Sequence, residues 1–397
     1  MPRNQKRIFE NPTNNKEIIL PRIPYIYKKE VKYMFWSKDY IVERLSKIPR
    51  TLEDISIEVF EGVSPTNDFL QKAGLSSENC IDASYVCRDS HTNAGIEQVG
   101  MEKELMYPYV DDSISNEFAV QSTQYQLMLP YEILDNNIRK EYRIFQPEEL
   151  KARFPIAYKQ ITEIKQQSES EKQEFVSADY RFENESFLRY INTPKIIVTN
   201  NSRLQASYDP TGKHVFANGV GVVLGDPTLY LYVTAVLNSS IARAFPEIWS
   251  REGVQSRGKL NSQMLKRFPI AFPKKETTEK VISTISRYLI YLNRQKQMAR
   301  AYAIPGYQEL IDFYKRISDL LILDTYITNE LDPKLLDVLA ENITASDGGF
   351  EYSADINLLI GLQEIKKNIL SSPDFGDCRF SNKFTNILAT LKNSTVW

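Results

Sequence analysis

A chain of 397 residues, 42% of them apolar and 25% charged, has an ordinary globular composition and is long enough to bury the cores of two or three domains. No run approaches the roughly 18 uninterrupted apolar residues of a membrane span. The opening MPRNQKRIFENPTNNK has no apolar signal-peptide core, so a cytoplasmic protein without membrane contact is expected. The formal net charge of −2 excludes bulk attraction to a polyanion. The charge is nevertheless uneven: residues 1–34 carry eight Lys/Arg against three acids, residues 241–275 eight against two, and residues 301–397 eight against fourteen. Two basic regions joined to an acidic one can form a local polyanion-binding face without a basic overall charge.

In chain order, residues 1–55 are polar and then aromatic and basic (PRIPYIYKKEVKYMFW), the character of a lead-in or interaction arm. DISIEVFEGVSP alternates like a strand running into a turn at Gly62 to Pro65. Residues 80–130 hold short apolar pieces, CIDASYVC and YQLMLP among them, that predict a sheet-rich region. The stretch 147–175 predicts one helix, with Pro147 in its first turn and Leu150, Phe154, Ala157, Tyr158, Ile161 and Ile164 at helical spacing. KIIVTN, from Lys195, reads as a strand, followed by a turn at Asp209-Pro210-Thr211-Gly212 and by more strand in HVFANGVGVVLG. In YLYVTAVLNSSIARAF, Leu229 to Val233 has a strand-like start. Val236, Leu237, Ile241 and Ala244 then form a helical apolar stripe, and Asn238, Ser239 and Ser240 supply a turn or cap between them. From about residue 276 the pattern is helical. The expected organisation is therefore α+β: an arm (1–55), a mixed α/β domain (56–274) and a helical C-terminal region (275–397).

Catalytic and metal signatures are sparse. Cys80, Cys87 and Cys378 form no C-x-x-C pair; Cys80, Cys87 and His91 lie near enough for a partial metal site, but plain structural residues are the simpler reading. There is no G-x-x-x-x-G-K-[ST] loop and no H-E-x-x-H helix. Gly219, Gly221 and Gly225 are followed by β-branched residues and Asp226-Pro227 rather than by a helix opening, so a strand with turns is expected in place of a dinucleotide cradle. An adenine-N6 methyltransferase needs an Asp/Asn-Pro-Pro-aromatic loop to hold an extruded base, and the nearest fragment, Asn11-Pro12-Thr13-Asn14, lacks the second proline and the ring. No catalytic residue, metal or cofactor site is assigned to this chain.

Binding chemistry is better represented. Lys195, Asn200, Asn201, Arg203, Gln205, Tyr208, Lys213 and Asn218 gather around strands and turns, and Trp249, Arg251, Gln255, Arg257, Lys259, Lys266 and Arg267 around the basic run SREGVQSRGKLN. Asn, Gln and Arg carry donor–acceptor pairs that match base edges, while Lys and glycine-flanked amides suit phosphates. The candidate DNA-facing residues are Lys195, Arg203, Arg251, Arg257 and Lys259, with Asn200, Asn201, Tyr208 and Gln255 as base readers.

Several separate stretches, taken in order, resemble the TaqI-like specificity, or target-recognition, domain of adenine-specific DNA methyltransferases and type IIG restriction-modification enzymes. EGVSPTNDFL (61–70) is similar to the opening turn of that family, without its second glycine. Thr193-Pro194-Lys195-Ile196-Ile197 resembles its W-x-x-P-K-I strand, with Tyr190 or Ile191 in the region of the aromatic. Leu229 to Ser240 resembles the element ending in Leu-Asn-Ser, and LNSQMLKRFPIAFP (260–273) the closing segment. ARAYAIPGYQELIDFYKRISDLLILDTYITNEL looks like the helical tail of the type IIG enzymes, so that residues 57–335 are covered.

The resemblance implies a domain that docks on duplex DNA and reads a short sequence for a methyltransferase. The motifs of that methyltransferase, and its S-adenosylmethionine site, are not found in this chain. The expectation is a DNA specificity subunit of a restriction-modification or related phage-defence system, non-catalytic alone, with double-stranded DNA and a methyltransferase or nuclease subunit as partners. Two further readings stand beside it: the C-terminal part of a split methyltransferase-endonuclease, and a protein-interaction module, inhibitor or decoy, derived from such a domain.

Overall fold

The computed structural model describes residues 43–63, 70–76, 80–84, 98–110, 117–120, 125–134, 138, 140–170, 182, 185–200, 204–250, 261–297, 306–328, 331–343, 353, 355 and 357–377. The class is α+β. A short helix α1 (Leu52–Ile55) leads into β1 (Ser56–Glu61), and the strands β2 (Leu70–Ser76), β3 (Cys80–Ser84), β4 (Gln98–Glu102), β5 (Met106–Val110), β6 (Phe118–Ala119) and β7 (Tyr125–Met128) follow. Next come a hairpin of β8 (Tyr131–Ile133) and β9 (Tyr142–Ile144), helices α2 (Pro147–Arg153) and α3 (Pro155–Ser170), and strands β10 (Lys195–Asn200), β11 (Leu204–Asp209), β12 (Val215–Phe216) and β13 (Gly219–Leu224). Helices α4 (Tyr230–Leu237), α5 (Ser240–Ser250), α6 (Ser262–Lys266), α7 (Glu276–Gln297), α8 (Tyr307–Leu323), α9 (Pro333–Asn342), α10 (Asn357–Ser371) and α11 (Pro373–Asp377) complete the chain.

The organising element is a five-stranded sheet in the order β1-β13-β10-β11-β6, antiparallel except for the β11–β6 pair. Strand side chains alternate between faces, and here both faces are buried. Val59, Ile196, Val198, Val220 and Val222 join a core with α4, α5, α7 and α8, while Phe60, Ile197 and Val223 join a second, aromatic core. That second core also takes residues from the six-stranded sheet β12-β5-β7-β2-β3-β4 and from α2 and α3. Gly221 is explained by this packing, because a Cβ there would lie 2.5 Å from the Phe60 ring and 2.8 Å from the Phe216 ring. The glycine run is strand β13, as its β-branched neighbours predicted.

Two local expectations are corrected. The helix foreseen over 147–175 is two helices, broken at Phe154 (φ −136°, ψ 66°) because Pro155 lacks an N–H and its ring disfavours helical geometry in the residue before it. Leu150, Phe154, Ala157 and Ile161 are nonetheless all buried on one side. Leu229 to Val233 is not strand-like: Tyr230 to Leu237 is a helix buried on nearly every side, and an apolar run that is buried all round carries no period to tell helix from strand.

Residues 36–397 form one compact unit. Within it the first core runs without interruption from Val198 and Val222 through Tyr232 to Leu289 and Tyr314, so it crosses residue 275. The closing segment Phe268-Pro269-Ile270-Ala271 is its hub. Phe268 O accepts from Leu52 N–H at 2.8 Å, Ile270 N–H donates to Arg50 O at 2.8 Å, and Pro269 O and Ala271 O accept the phenols of Tyr326 (2.9 Å) and Tyr232 (2.6 Å). Arg50 to Leu52, expected in the arm, thus belong to this folded unit. Residues 1–42, with most of the arm, lie outside the described residues.

Candidate nucleic-acid interface

The register of the five-stranded sheet brings four strand ends together. Glu61 faces Val220 across β1–β13, Gly219 faces Thr199 across β13–β10, and Asn200 faces Leu204 across β10–β11. Three residues, 201–203, therefore join β10 to β11 at this end. Beside them Asn218 sits exposed in a left-handed turn (φ 51°), a conformation that Asn tolerates better than most residues, and Gly62 N–H donates to Gly219 O at 3.0 Å.

The basic run is tied to the same end. Asn261 caps α6 by accepting from Met264 N–H at 2.8 Å. Ser262 N–H then donates to Glu61 Oε1 at 2.5 Å, and Lys266 Nζ lies 3.5 Å from Glu58. Upstream, Phe245 on α5 packs edge-on against Phe268 (centroids 4.9 Å), so the helices before and after 251–260 are held on one core. The flanks of the two stretches that supplied most of the candidate residues thus meet at one end of one sheet. Arg203, Asn201, Arg251, Gln255, Arg257 and Lys259 themselves, and the side chain of Asn200, lie outside the described residues, as do Cys87 and His91.

Lys195 and Tyr208 stand elsewhere, at the opposite end of β10 and β11, about 17 Å away at roughly 3.3 Å per strand residue. Lys195 is only 2% exposed. Its ammonium donates to Gly212 O and lies 3.5 Å from Asp209 Oδ2, so it is turned inward. Burial pushes the Lys195 ammonium below its usual range, and Asp209 counters this. Burial alone would raise the Asp209 carboxyl. The His214 side chain (Nδ1 at 3.1 Å), Lys195 and the Thr211 hydroxyl (2.8 Å) outweigh it and hold that carboxyl low. Asp209 also accepts His214 N–H at 3.0 Å, so the unit shapes the 209–214 turn, in which Gly212 (φ 68°) sits directly on the Thr193 backbone. Lys195 therefore has no free ammonium to offer a phosphate. Tyr208 is half-buried with its ring stacked on Tyr230 at 5.1 Å, where it braces β11 against α4.

The Leu-Asn-Ser element also resolves into structure. Asn238, 5% exposed, accepts Ala206 N–H (3.1 Å) on Oδ1 and donates to Ala206 O (2.8 Å) and Thr234 O (2.9 Å) from Nδ2. Since β6 spans only two residues beside β11, Asn238 does for Ala206 what a neighbouring strand would do. One residue on, Ser240 donates from both its backbone N–H (2.8 Å) and its hydroxyl to Asp319 of α8, which caps α5 from another helix. Burial pushes the Asp319 carboxyl up, against the pull of Ser240, Arg243 and Lys315. Arg243 and Lys315 both pair with the buried Glu117. Sequence reading anticipated the polar interruption but not Asp319 or Glu117, whose partners are 79 and 126 residues away.

No family model and no curated protein matches the sequence. Among solved structures the chain is similar to MmeI, a Type IIL restriction-modification enzyme in complex with DNA, with a TM-score of 0.37 and 11% identity over 80% of this chain and 37% of that one. This chain thus spans little more than a third of that enzyme's length. Among the described residues, no helix is long and apolar enough to cross a membrane.

Proposed function

We propose that this chain is a DNA sequence-specificity unit that binds duplex DNA and directs an adenine-N6 methyltransferase or nuclease carried by a partner. The observation that carries the reading is the convergence, at one end of the five-stranded sheet, of the β10–β11 connection and the anchored flank of the basic run. In this proposal Arg203, Arg251, Arg257 and Lys259 contact phosphates, and Asn200, Asn201 and Gln255 read base edges in a groove. Lys195 and Tyr208 hold the fold that presents them. The sequence resemblance to TaqI-like specificity domains supports the same reading, and S-adenosylmethionine belongs to the partner in it.

The test is selection from a randomised duplex pool by mobility shift, with and without a co-expressed methyltransferase. Enrichment of one short motif is expected, with an affinity that falls steeply with salt because each phosphate contact releases counterions. A pool that enriches no motif under either condition overturns the proposal. S-adenosylmethionine bound by this chain alone would contradict the assignment of the cofactor to the partner.

A further inference from the structure

The end of the sheet that carries Lys195 has a surface of its own. The β8–β9 hairpin runs past it, and the hairpin's connecting stretch exposes two aliphatic side chains, Leu134 (53% exposed) and Ile138 (52%). The hairpin backbone is tied down there: Leu134 N–H donates to Glu141 O (2.8 Å), Lys140 N–H to Arg189 O (2.7 Å), and Thr193 Oγ1 to Ile138 O (2.9 Å). Asn192 N–H donates to Gly212 O (3.1 Å), which brings the exposed Lys213 alongside. Three cationic residues, Lys140, Arg189 and Lys213, therefore surround two exposed aliphatics, and among the described residues no carboxylate pairs with any of the three.

A two-stranded hairpin is marginal by itself, but this one has a braced base. Arg143 pairs with Glu149 (2.6 Å) and Glu132 (2.6 Å), Arg153 pairs with Glu132 (3.0 Å), and Arg153 lies over the Phe145 and Phe154 rings at 5.0 and 5.2 Å. Two aliphatic tips fall far short of the roughly 800 Å² per partner that a stable protein interface buries. They match the one or two apolar side chains that a minor-groove protein inserts between base steps, flanked by Lys or Arg on the phosphates.

We infer that Leu134 and Ile138 form an apolar wedge for the minor groove of duplex DNA, with Lys140, Arg189 and Lys213 on the adjoining phosphates. The inference rests on the DNA reading above and adds a second contact to it. The two ends of β10 are about 17 Å apart, about five base pairs at 3.4 Å each and therefore about half a helical turn. A duplex lying along these strands turns opposite grooves toward the two ends, the major groove to the base-reading end and the minor groove to the hairpin.

The experiment uses the full chain and a 40-base-pair duplex of mixed sequence, about four helical turns, labelled at its two ends for energy transfer. Affinity, salt dependence and bending are measured for wild type, Leu134→Ser/Ile138→Ser and Lys140→Ala/Lys213→Ala. The serine variant is expected to keep its thermal stability, to bind about tenfold more weakly and to lose the bend. The lysine variant is expected to lower the slope of log affinity against log salt by about 0.9 for each phosphate contact removed. Leu134→Met/Ile138→Met, which keeps apolar tips, should bend DNA as wild type does. Equal binding and bending by wild type and the serine variant overturn the wedge and leave the specificity reading standing; a wild-type chain that binds no duplex overturns both.

Discussion

Replacing Asn238 by Ala isolates the contribution of one side chain to the join between β11 and α4. The substitution removes three hydrogen bonds, at 3.1, 2.8 and 2.9 Å, and leaves Ala206 N–H and O without their partner inside the core. Each net bond contributes about 1 kcal/mol, and a stranded buried backbone group costs about 1–3 kcal/mol. The expected loss is therefore about 3–5 kcal/mol, a large share of a typical 5–15 kcal/mol. With an unfolding entropy of about 2.1 cal/mol/K per residue, a unit of this size should melt about 5 °C lower. Asn238→Asp keeps the acceptor but sets a carboxylate against Ala206 O and Thr234 O, so it should be at least as damaging. Urea unfolding followed by circular dichroism measures both. A loss below about 1 kcal/mol for Asn238→Ala, or an Asp variant as stable as wild type, would refute the idea that Asn238 substitutes for a missing strand.

Lys195→Ala should destabilise by about 3–5 kcal/mol, because it leaves Asp209 charged and buried, whereas Lys195→Met/Asp209→Asn should recover most of that loss in the same unfolding assay. If Lys195→Ala instead weakens DNA binding with its melting point unchanged, the inward ammonium has been misread. Gly221→Ala drives a methyl into the Phe60 and Phe216 rings and should cost about 2 kcal/mol, with Phe60→Leu in the same chain relieving part of it. The Glu149 carboxyl is held down, first by Arg143 and then by Gln146 N–H, from its ordinary 4.5 to about 2. A lowered carboxylate stabilises the fold above its unfolded value and loses that contribution as pH falls through the folded one, so acid unfolding should steepen between about pH 4.5 and 2. Glu149→Gln should flatten that part of the profile, and an unchanged profile would remove Glu149 from the account.

Local elements with a clear period were legible without coordinates. SIEVFE, KIIVTN and GVGVVL became strands β1, β10 and β13, and Leu150, Phe154, Ala157 and Ile161 became one buried face. The break at Phe154 was also within reach, since Pro155 announces it. YLYVTAVL was not, because residues buried on all sides have no polar face to reveal a period. Of the candidate site, residue types and basic character came from sequence, but Lys195 looked like Arg203: a cation beside a turn carries no mark of burial.

What the chain alone determines about this protein is therefore its α+β class, the positions of its best-patterned strands and helices, and a set of polar and basic stretches suited to DNA. Only the tertiary structure decided which of those stretches meet. Antiparallel register placed Asn200, Gly219 and Glu61 at one end and Lys195 with Asp209 at the other, and Ser262 brought the basic run to the first of these. The physical reason is that register and burial are set by partners far along the chain, 201 residues in the case of Ser262 and Glu61, and no local window contains both members of such a pair.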